Sequence, residues 1–462
     1  MTRMITAAVA LSALACAGSD AGRSADGRPD WVTVVDTIGD TIVTRTTGGS
    51  DSVATHTLVS EVAIGELDAI EEAYSFGGIN ELEVAEDGRI YVFDRQVPAL
   101  REYGPAGKYV RTLGRKGKGP GEYEQANGVA IHRDGRVVLW DAGTAHINVY
   151  RPDGTFIAGW PLPGGAGFYT SGALVIDTAG NTYARTRIAD PPKENAAASG
   201  RMFGTTGLVQ WDRDGRIVDS LTPPAPTIEP QSLVASMKGG TSVYSLPFAP
   251  RHVWVWSPLG YFVSARTDRY AVTLSPAGGR ALRIERDATP VPVTSEERAD
   301  QEERTTASLR MTDPTWRWSG PGIPNTKPAI ASVAVADDGR IWVSVSQPGE
   351  RIPEGEQSPG PSMRVGTGGD MPKLPQPKWR DPIVYDVFDP SGRYLGRVPA
   401  PPKTSFRTMR GDHIWAVRRD SLDVEQVVRF RVVPGFGEQK VDVGALTGAD
   451  RRVMSLGLAP VR

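Results

Sequence analysis

Leu82-Glu83-Val84-Ala85-Glu86-Asp87-Gly88-Arg89-Ile90-Tyr91-Val92-Phe93-Asp94 is answered by Val129-Ala130-Ile131-His132-Arg133-Asp134-Gly135-Arg136-Val137-Val138-Leu139-Trp140-Asp141. Gly88 and Gly135, Asp94 and Asp141, Tyr103 and Tyr150, Pro105 and Pro152, and Gly107 and Gly154 are each 47 positions apart. A repeat of that period is one supersecondary unit that buries its faces against copies of itself. Each copy reads as four short strands. The first ends at Asp-Gly, which supplies the positive φ angles of a tight hairpin. The second, residues 89–94 or 136–141, is apolar on consecutive residues, as expected of a strand covered on both faces. A third holds Leu100 and Tyr103, or Ile147, Val149 and Tyr150. Pro105-Ala106-Gly107 and Pro152-Asp153-Gly154 then turn the chain into a fourth. Four antiparallel strands per about 45 residues, buried on both faces, describe a β-propeller blade.

The stretch after the first copy carries a more specific signal. It reads Gly114-Arg115-Lys116-Gly117-Lys118-Gly119-Pro120-Gly121-Glu122-Tyr123, followed by Gly128-Val129-Ala130, the Asp-Gly-Arg turn and Val149-Tyr150-Arg151-Pro152-Asp153-Gly154. This resembles the NHL-repeat propellers and is most similar to their six-bladed bacterial lipoprotein branch. The likeness is strong over 82–160, fair near 329–398 and weak elsewhere. Gln125-Ala126-Asn127 departs from it, because the repeat commonly has a proline there. The resemblance implies an all-β, six-bladed ring of four-stranded antiparallel blades occupying 78–433, with early strands within 31–77 closing the ring. Seven blades remain open if those early strands form more than a closure.

Working outward, residues 173–221, 253–285, 330–398 and 406–432 read as the third to sixth blades. The third is interrupted at 188–206. Residues 223–230, with four prolines, connect it to the fourth. Thr294 and Glu297 form a capping box for one helix over 294–311. Its body is charged and carries almost no apolar stripe, so it lies on the surface or lids the channel mouth, with Trp316 and Trp318 beneath. Residues 347–380 are rich in Pro and Gly and read as a mobile loop. Residues 434–462 read as a C-terminal extension.

Residues 1–16 read as an export signal. Arg3 precedes an apolar run too short to span a bilayer, and Ala13-Leu14-Ala15-Cys16 is a small-residue cleavage site. Cys16 is the only cysteine of the chain and stands where a lipobox needs it. The segment resembles lipoprotein signals; an ordinary secretory signal is the alternative. Lipidation of Cys16 would anchor the protein to the cell envelope, at the outer membrane in a Gram-negative host, and otherwise it would be periplasmic or secreted. Residues 17–30 read as a flexible tether.

The 52 basic and 54 acidic residues nearly cancel, so whole-protein charge makes no case for nucleic acid. There is no Gly-x-Ser-x-Gly and no zinc-protease helix. The glycine-rich 114–121 lacks a Gly-Lys-Ser/Thr ending and reads as an inter-blade turn. Arg115, Lys116 and Lys118 form a basic edge, either solvated or facing an acidic partner. With Trp316 and Trp318 they are the candidate interaction surface. His56, His132, His146, His252 and His413 do not repeat with the blades, and Asp94 and Asp141 read as structural strand ends rather than a calcium site. Two functions stay open. One is a tethered, non-enzymatic propeller that binds an envelope protein, peptide or glycan at its loop face without a cofactor. The other is a Ca- or Zn-dependent lyase or lactonase on the axis, using convergent His or Glu, Asn and Asp.

Overall fold

The computed structural model describes residues 31–49, 54–66, 69–162, 174–189, 205–237, 240–356, 374–420 and 422–437. Cys16, the signal, the tether and most of the C-terminal extension lie outside them. The repeat pattern resolves into six four-stranded antiparallel blades. From the innermost strand outward, blade one is Ile79–Val84, Ile90–Asp94, Ala99–Tyr103 and Tyr109–Leu113. Blade two is Ala126–Ile131, Val137–Asp141, His146–Tyr150 and Phe156–Pro161. Blade three is Leu174–Ile176, Thr182–Ala189, Thr205–Trp211 and Ile217–Leu221. Blade four begins at His252–Ser257 and ends at Ala281–Arg286. Blade five runs from Ile330–Val335 to Tyr394–Pro399.

Blade six takes three strands from the end of the propeller sequence, Thr404–Arg410, His413–Arg419 and Glu425–Val433. Its fourth is Thr57–Ile64, paired antiparallel with Glu425–Val433 from Thr57 opposite Val433 to Ile64 opposite Val427. The other N-terminal strands expected to close the ring do something else. The hairpin Trp31–Ile38 and Thr41–Gly48 runs along the outside of blade four, Thr41–Gly48 pairing in parallel with Ala281–Arg286. It makes that blade six strands wide and leaves Val32, Val34, Val35 and Ile38 exposed on a free edge.

The consecutive apolar residues of the second strands are the core. Every residue of Ile90–Asp94, Val137–Asp141 and Ile341–Val345 is buried. The polar ends of these strands have a defined role. The buried carboxylate of Asp94 accepts the backbone N–H of Gly77 at 2.8 Å, Gly78 at 3.2 Å and Gln96 at 2.9 Å. Forty-seven positions on, Asp141 accepts those of Glu124 at 3.0 Å, Gln125 at 2.6 Å and Gly143 at 3.1 Å. Each aspartate therefore ties the end of its second strand to the connection entering its blade. Between blades four and five, Asp386 is fully buried and accepts from Tyr270 Oη at 3.0 Å, Arg286 Nη1 at 2.9 Å, Tyr394 Oη at 2.9 Å and Arg397 Nε at 2.7 Å. A buried charge is tolerable when its hydrogen-bonding capacity is filled in this way.

Replacing Asp94 with alanine strands several buried N–H groups. Asp94→Ala should lower stability by about 2–4 kcal/mol, seen as a fall in the urea midpoint at unchanged slope; a loss within experimental error would contradict the structural role.

Candidate functional site

In an antiparallel four-stranded blade, the first-to-second and third-to-fourth connections emerge on one face of the ring. The second-to-third and blade-to-blade connections emerge on the other. The first face is made of tight turns such as 85–89, 104–108, 132–136, 151–155, 212–216 and 389–393, closed by backbone hydrogen bonds. The ends of blade three's second and third strands (188–189 and 205–206) and the segments 222–237, 240–251, 287–329, 346–356 and 374–383 all belong to the second. The insertions thus share one face, although they come from blades three, four and five.

Two of them, with the flanks of a third, build a cap. The hairpin Ser232–Met237 and Gly240–Ser245 packs against the helix Ser295–Arg310. Leu233, Ala235, Leu246, Val293, Leu309, Trp316 and Ile323 form its own small core. Trp316 is buried there and donates Nε1 to the Val234 carbonyl at 3.0 Å. Trp318 packs edge-on against it with centroids 6.0 Å apart and keeps partial exposure. The capping box is present, Thr294 Oγ1 accepting from the Glu297 N–H at 3.2 Å. The buried side of the helix is mostly polar, with Glu297, Asp300 and Thr305 beside Leu309.

Lys327 explains that polarity. Its buried Nζ lies 2.7 Å from Glu297, 2.6 Å from Asp381 and 3.0 Å from the Gln347 carbonyl, which staples the helix to the blade-five insertion. The Lys327 charge is the main attraction holding the Glu297 carboxyl below its ordinary range against the opposing effect of burial. The loop expected at 347–380 is partly ordered: Glu350–Arg351 pairs with Trp379–Arg380, and Lys378 Nζ reaches Glu303 at 2.8 Å. Residues 357–373 lie outside the described residues. Between helix and insertion is a cavity of about 690 Å³, lined by Glu302, Glu303, Thr306, Arg310, Trp318 and Pro375 among others.

The basic edge at 115–118 lies on the surface. Arg115, Lys116 and Lys118 are all exposed, with Arg115 Nε 2.7 Å from Glu122 and Lys118 Nζ 3.5 Å from Glu124. Glu122 also accepts the Gly119 N–H at 2.8 Å, and Tyr123 Oη donates to the Leu113 carbonyl at 2.8 Å from inside the core. The glycine-rich stretch is therefore the joint between blades one and two. Arg115, Lys116 and Lys118 do not meet Trp316 and Trp318 in the cap.

The histidines are scattered. His132 is buried beside Thr182, and burial pushes its pKa down to about 4. His146 contacts the Thr144 carbonyl at 2.6 Å, His413 contacts Glu61 at 3.3 Å, and His56 contacts Thr55 at 2.8 Å. Among the described residues, no three His, Cys, Asp or Glu side chains converge as metal ligands.

Sequence reasoning missed a carboxylate cluster on the innermost strand of blade one. Burial pushes Glu81 up to about 7, and Arg407 from blade six draws it partly back. Glu83 is raised further, first by burial and then by the charges of Asp337 and Glu81, against the Thr408 hydroxyl and Arg410. Arg410 donates Nε to Asp337 at 3.1 Å and Nη1 to the Ala85 carbonyl at 2.7 Å, joining blades five, six and one. A carboxyl that changes charge near neutrality can give or take a proton.

Residues 70–167, which span the first two blades, match the DUF5128 family model, described as a 6-bladed beta-propeller. No curated protein matches the sequence. Among solved structures, a member of the duf4221 family from Bacteroides vulgatus is similar at 11% identity, covering 81% of this chain and 98% of its own, with a TM-score of 0.47. An inactive variant of virginiamycin B lyase from Staphylococcus aureus, with quinupristin, is 10% identical over 77% of this chain and 94% of its own, at a TM-score of 0.35. A gluconolactonase from Xanthomonas campestris is 10% identical over 77% and 86%, at 0.34.

Glu81 makes stability depend on pH with a definite sign. Its folded-state pKa lies above the ordinary 4.5, so its protonated form is favoured on folding. Its contribution to stability is full below about pH 4.5 and is lost as pH rises through about 7. Glu81→Gln should be more stable than the parent by about 1–3 kcal/mol at pH 8 and equal to it near pH 4. Urea unfolding across that range checks this; an equal difference at both ends would contradict it.

Proposed function

We propose that this chain is an exported propeller, tethered through lipidated Cys16, that binds a protein, peptide or glycan at its insertion face without catalysing a reaction. The observation that carries the reading is the cap. The blades are interrupted toward one face, and Lys327 holds the helix insertion to the blade-five insertion through its pairs with Glu297 and Asp381. An aromatic side chain (Trp318), two carboxylates (Glu302 and Glu303), a hydroxyl (Thr306) and a guanidinium (Arg310) meet in one cavity of about 690 Å³. Such mixtures of stacking surface and polar groups suit peptides and sugars. Among the described residues, no helix is long and apolar enough to cross a membrane, so the tether in this reading is the lipid. The NHL-type kinship of the first two blades belongs to the same reading.

Glu81 favours a second reading, an axial lyase or lactonase aided by calcium or zinc. The two readings separate experimentally. The mature chain would be titrated with calcium and zinc, and screened against glycan and peptide arrays. The binding reading expects array ligands that Trp318→Ala weakens at least about 10-fold, in line with the loss of an aromatic anchor, with the thermal midpoint unchanged. One metal bound per chain, lost in Glu81→Gln, would replace it with the axial enzyme. For the tether, metabolic labelling with a fatty acid should mark the protein and fail with Cys16→Ser; equal labelling of both would overturn the anchor.

A further inference from the structure

Among the described residues, five of the six seams between blades hold a buried apolar cluster. The seam between blades three and four is built differently. On the second strand of blade three, Ala184 packs toward blade two, so Tyr183 and Arg185 face blade four. On the innermost strand of blade four, Val253 and Val255 pack toward blade five, so His252, Trp254 and Trp256 face blade three. Tyr183 meets Trp256 with centroids 4.9 Å apart, and the Arg185 guanidinium carbon lies 4.2 Å above the Trp254 ring.

Among the described residues, no carboxylate pairs with Arg185 in this seam. Arg185 Nε is closed off from solvent and has no hydrogen-bond partner, although the residue as a whole keeps partial exposure. Burial alone lowers its pKa, and no carboxylate opposes the effect. Two residues from Trp254 on the same strand face, both ring nitrogens of His252 are also buried and unpartnered. Burial, then Arg266, pushes the His252 pKa down, so the ring is neutral at neutral pH. Arg266 itself is engaged by Asp268 at 3.2 and 2.7 Å. Asp386 and Lys327, by contrast, are compensated by their partners. A guanidinium nitrogen and an imidazole, both unsatisfied and facing one seam, are costly to hold unless something completes them.

We propose that the seam between blades three and four is a binding site for a small carboxylate, received by Arg185 and His252 against Trp254. The guanidinium fork matches the two oxygens of a carboxylate. The neutral imidazole can donate one further hydrogen bond. One positive charge balances a monoanion, whereas a phosphate dianion would leave an uncompensated charge in the seam. The site is separate from the cap cavity and does not depend on what binds there.

The test is calorimetric titration of the mature chain with acetate, benzoate and inorganic phosphate, alongside Arg185→Met and Arg185→Lys. Saturable one-to-one carboxylate binding is expected. Arg185→Met should weaken it about 10- to 100-fold, the range for hydrogen bonds to a charged group. Arg185→Lys, which keeps the charge and loses the fork, should weaken it as well. Without anion, Arg185→Met should melt no lower than the parent, because it removes an uncompensated charge. The proposal is overturned if neither carboxylate binds at tens of millimolar, or if Arg185→Met binds as well as the parent. Phosphate binding as tight as benzoate would overturn the assignment to carboxylates. Should the methionine variant fail to fold, the lysine variant carries the comparison.

Discussion

The structure depends on one non-local pairing. Thr57–Ile64 supplies the outer strand of the last blade and lies antiparallel to Glu425–Val433. Without it, blade six would have three strands, all from the end of the propeller sequence. With it, the two ends of the propeller sequence belong to one sheet. The long sequence separation adds little to the closure cost, because that cost grows only with the logarithm of loop length. On the closing strand Ile64 is buried, and Val62 and Leu58 pack against the clusters on either side of blade six.

Closure fixes the ring, and strand parity then assigns the faces. Chain added within a hairpin turn would land on the tight-turn face. Chain added between blades, or between second and third strands, lands on the opposite one. All the insertions took the second route. Asp94 and Asp141 secure the bases of that face by holding the connections entering blades one and two. Lys327 does a comparable job higher up, where the cap meets blade five. The insertion face is therefore built on buried hydrogen bonds and ion pairs from its root, which is how loops become a surface of defined shape.

The blades were legible because their signals are local. Asp-Gly turns, consecutive apolar second strands and a strict 47-residue period recur without reference to the rest of the chain. The helix was legible for the same reason, since its capping box spans only Thr294 to Glu297. The cap hairpin was missed. Its strands alternate, but Ser, Thr and Gly make up half of their residues, and they fall outside any repeat. The polar underside of the helix was read as solvated because its partner, Lys327, lies well downstream. Glu81 and Arg185 owe part of their character to neighbouring blades, through Arg407 and Trp254, and His252 to Arg266 on the next strand of its own blade, so nothing beside them in sequence marks them out. The strands Trp31–Ile38 and Thr41–Gly48 were not separable in sequence from the closing strand Thr57–Ile64, because alternation says that a strand pairs and not with which partner.

Amide hydrogen exchange on the mature chain tests ring closure most directly. If Thr57–Ile64 locks a single cooperative ring, its paired amides should exchange only through global unfolding, with the same protection free energy as those of Glu425–Val433 and its denaturant dependence. Exchange of Thr57–Ile64 through a smaller opening, while the six inner strands stay protected, would show that the ring stands without its closing strand.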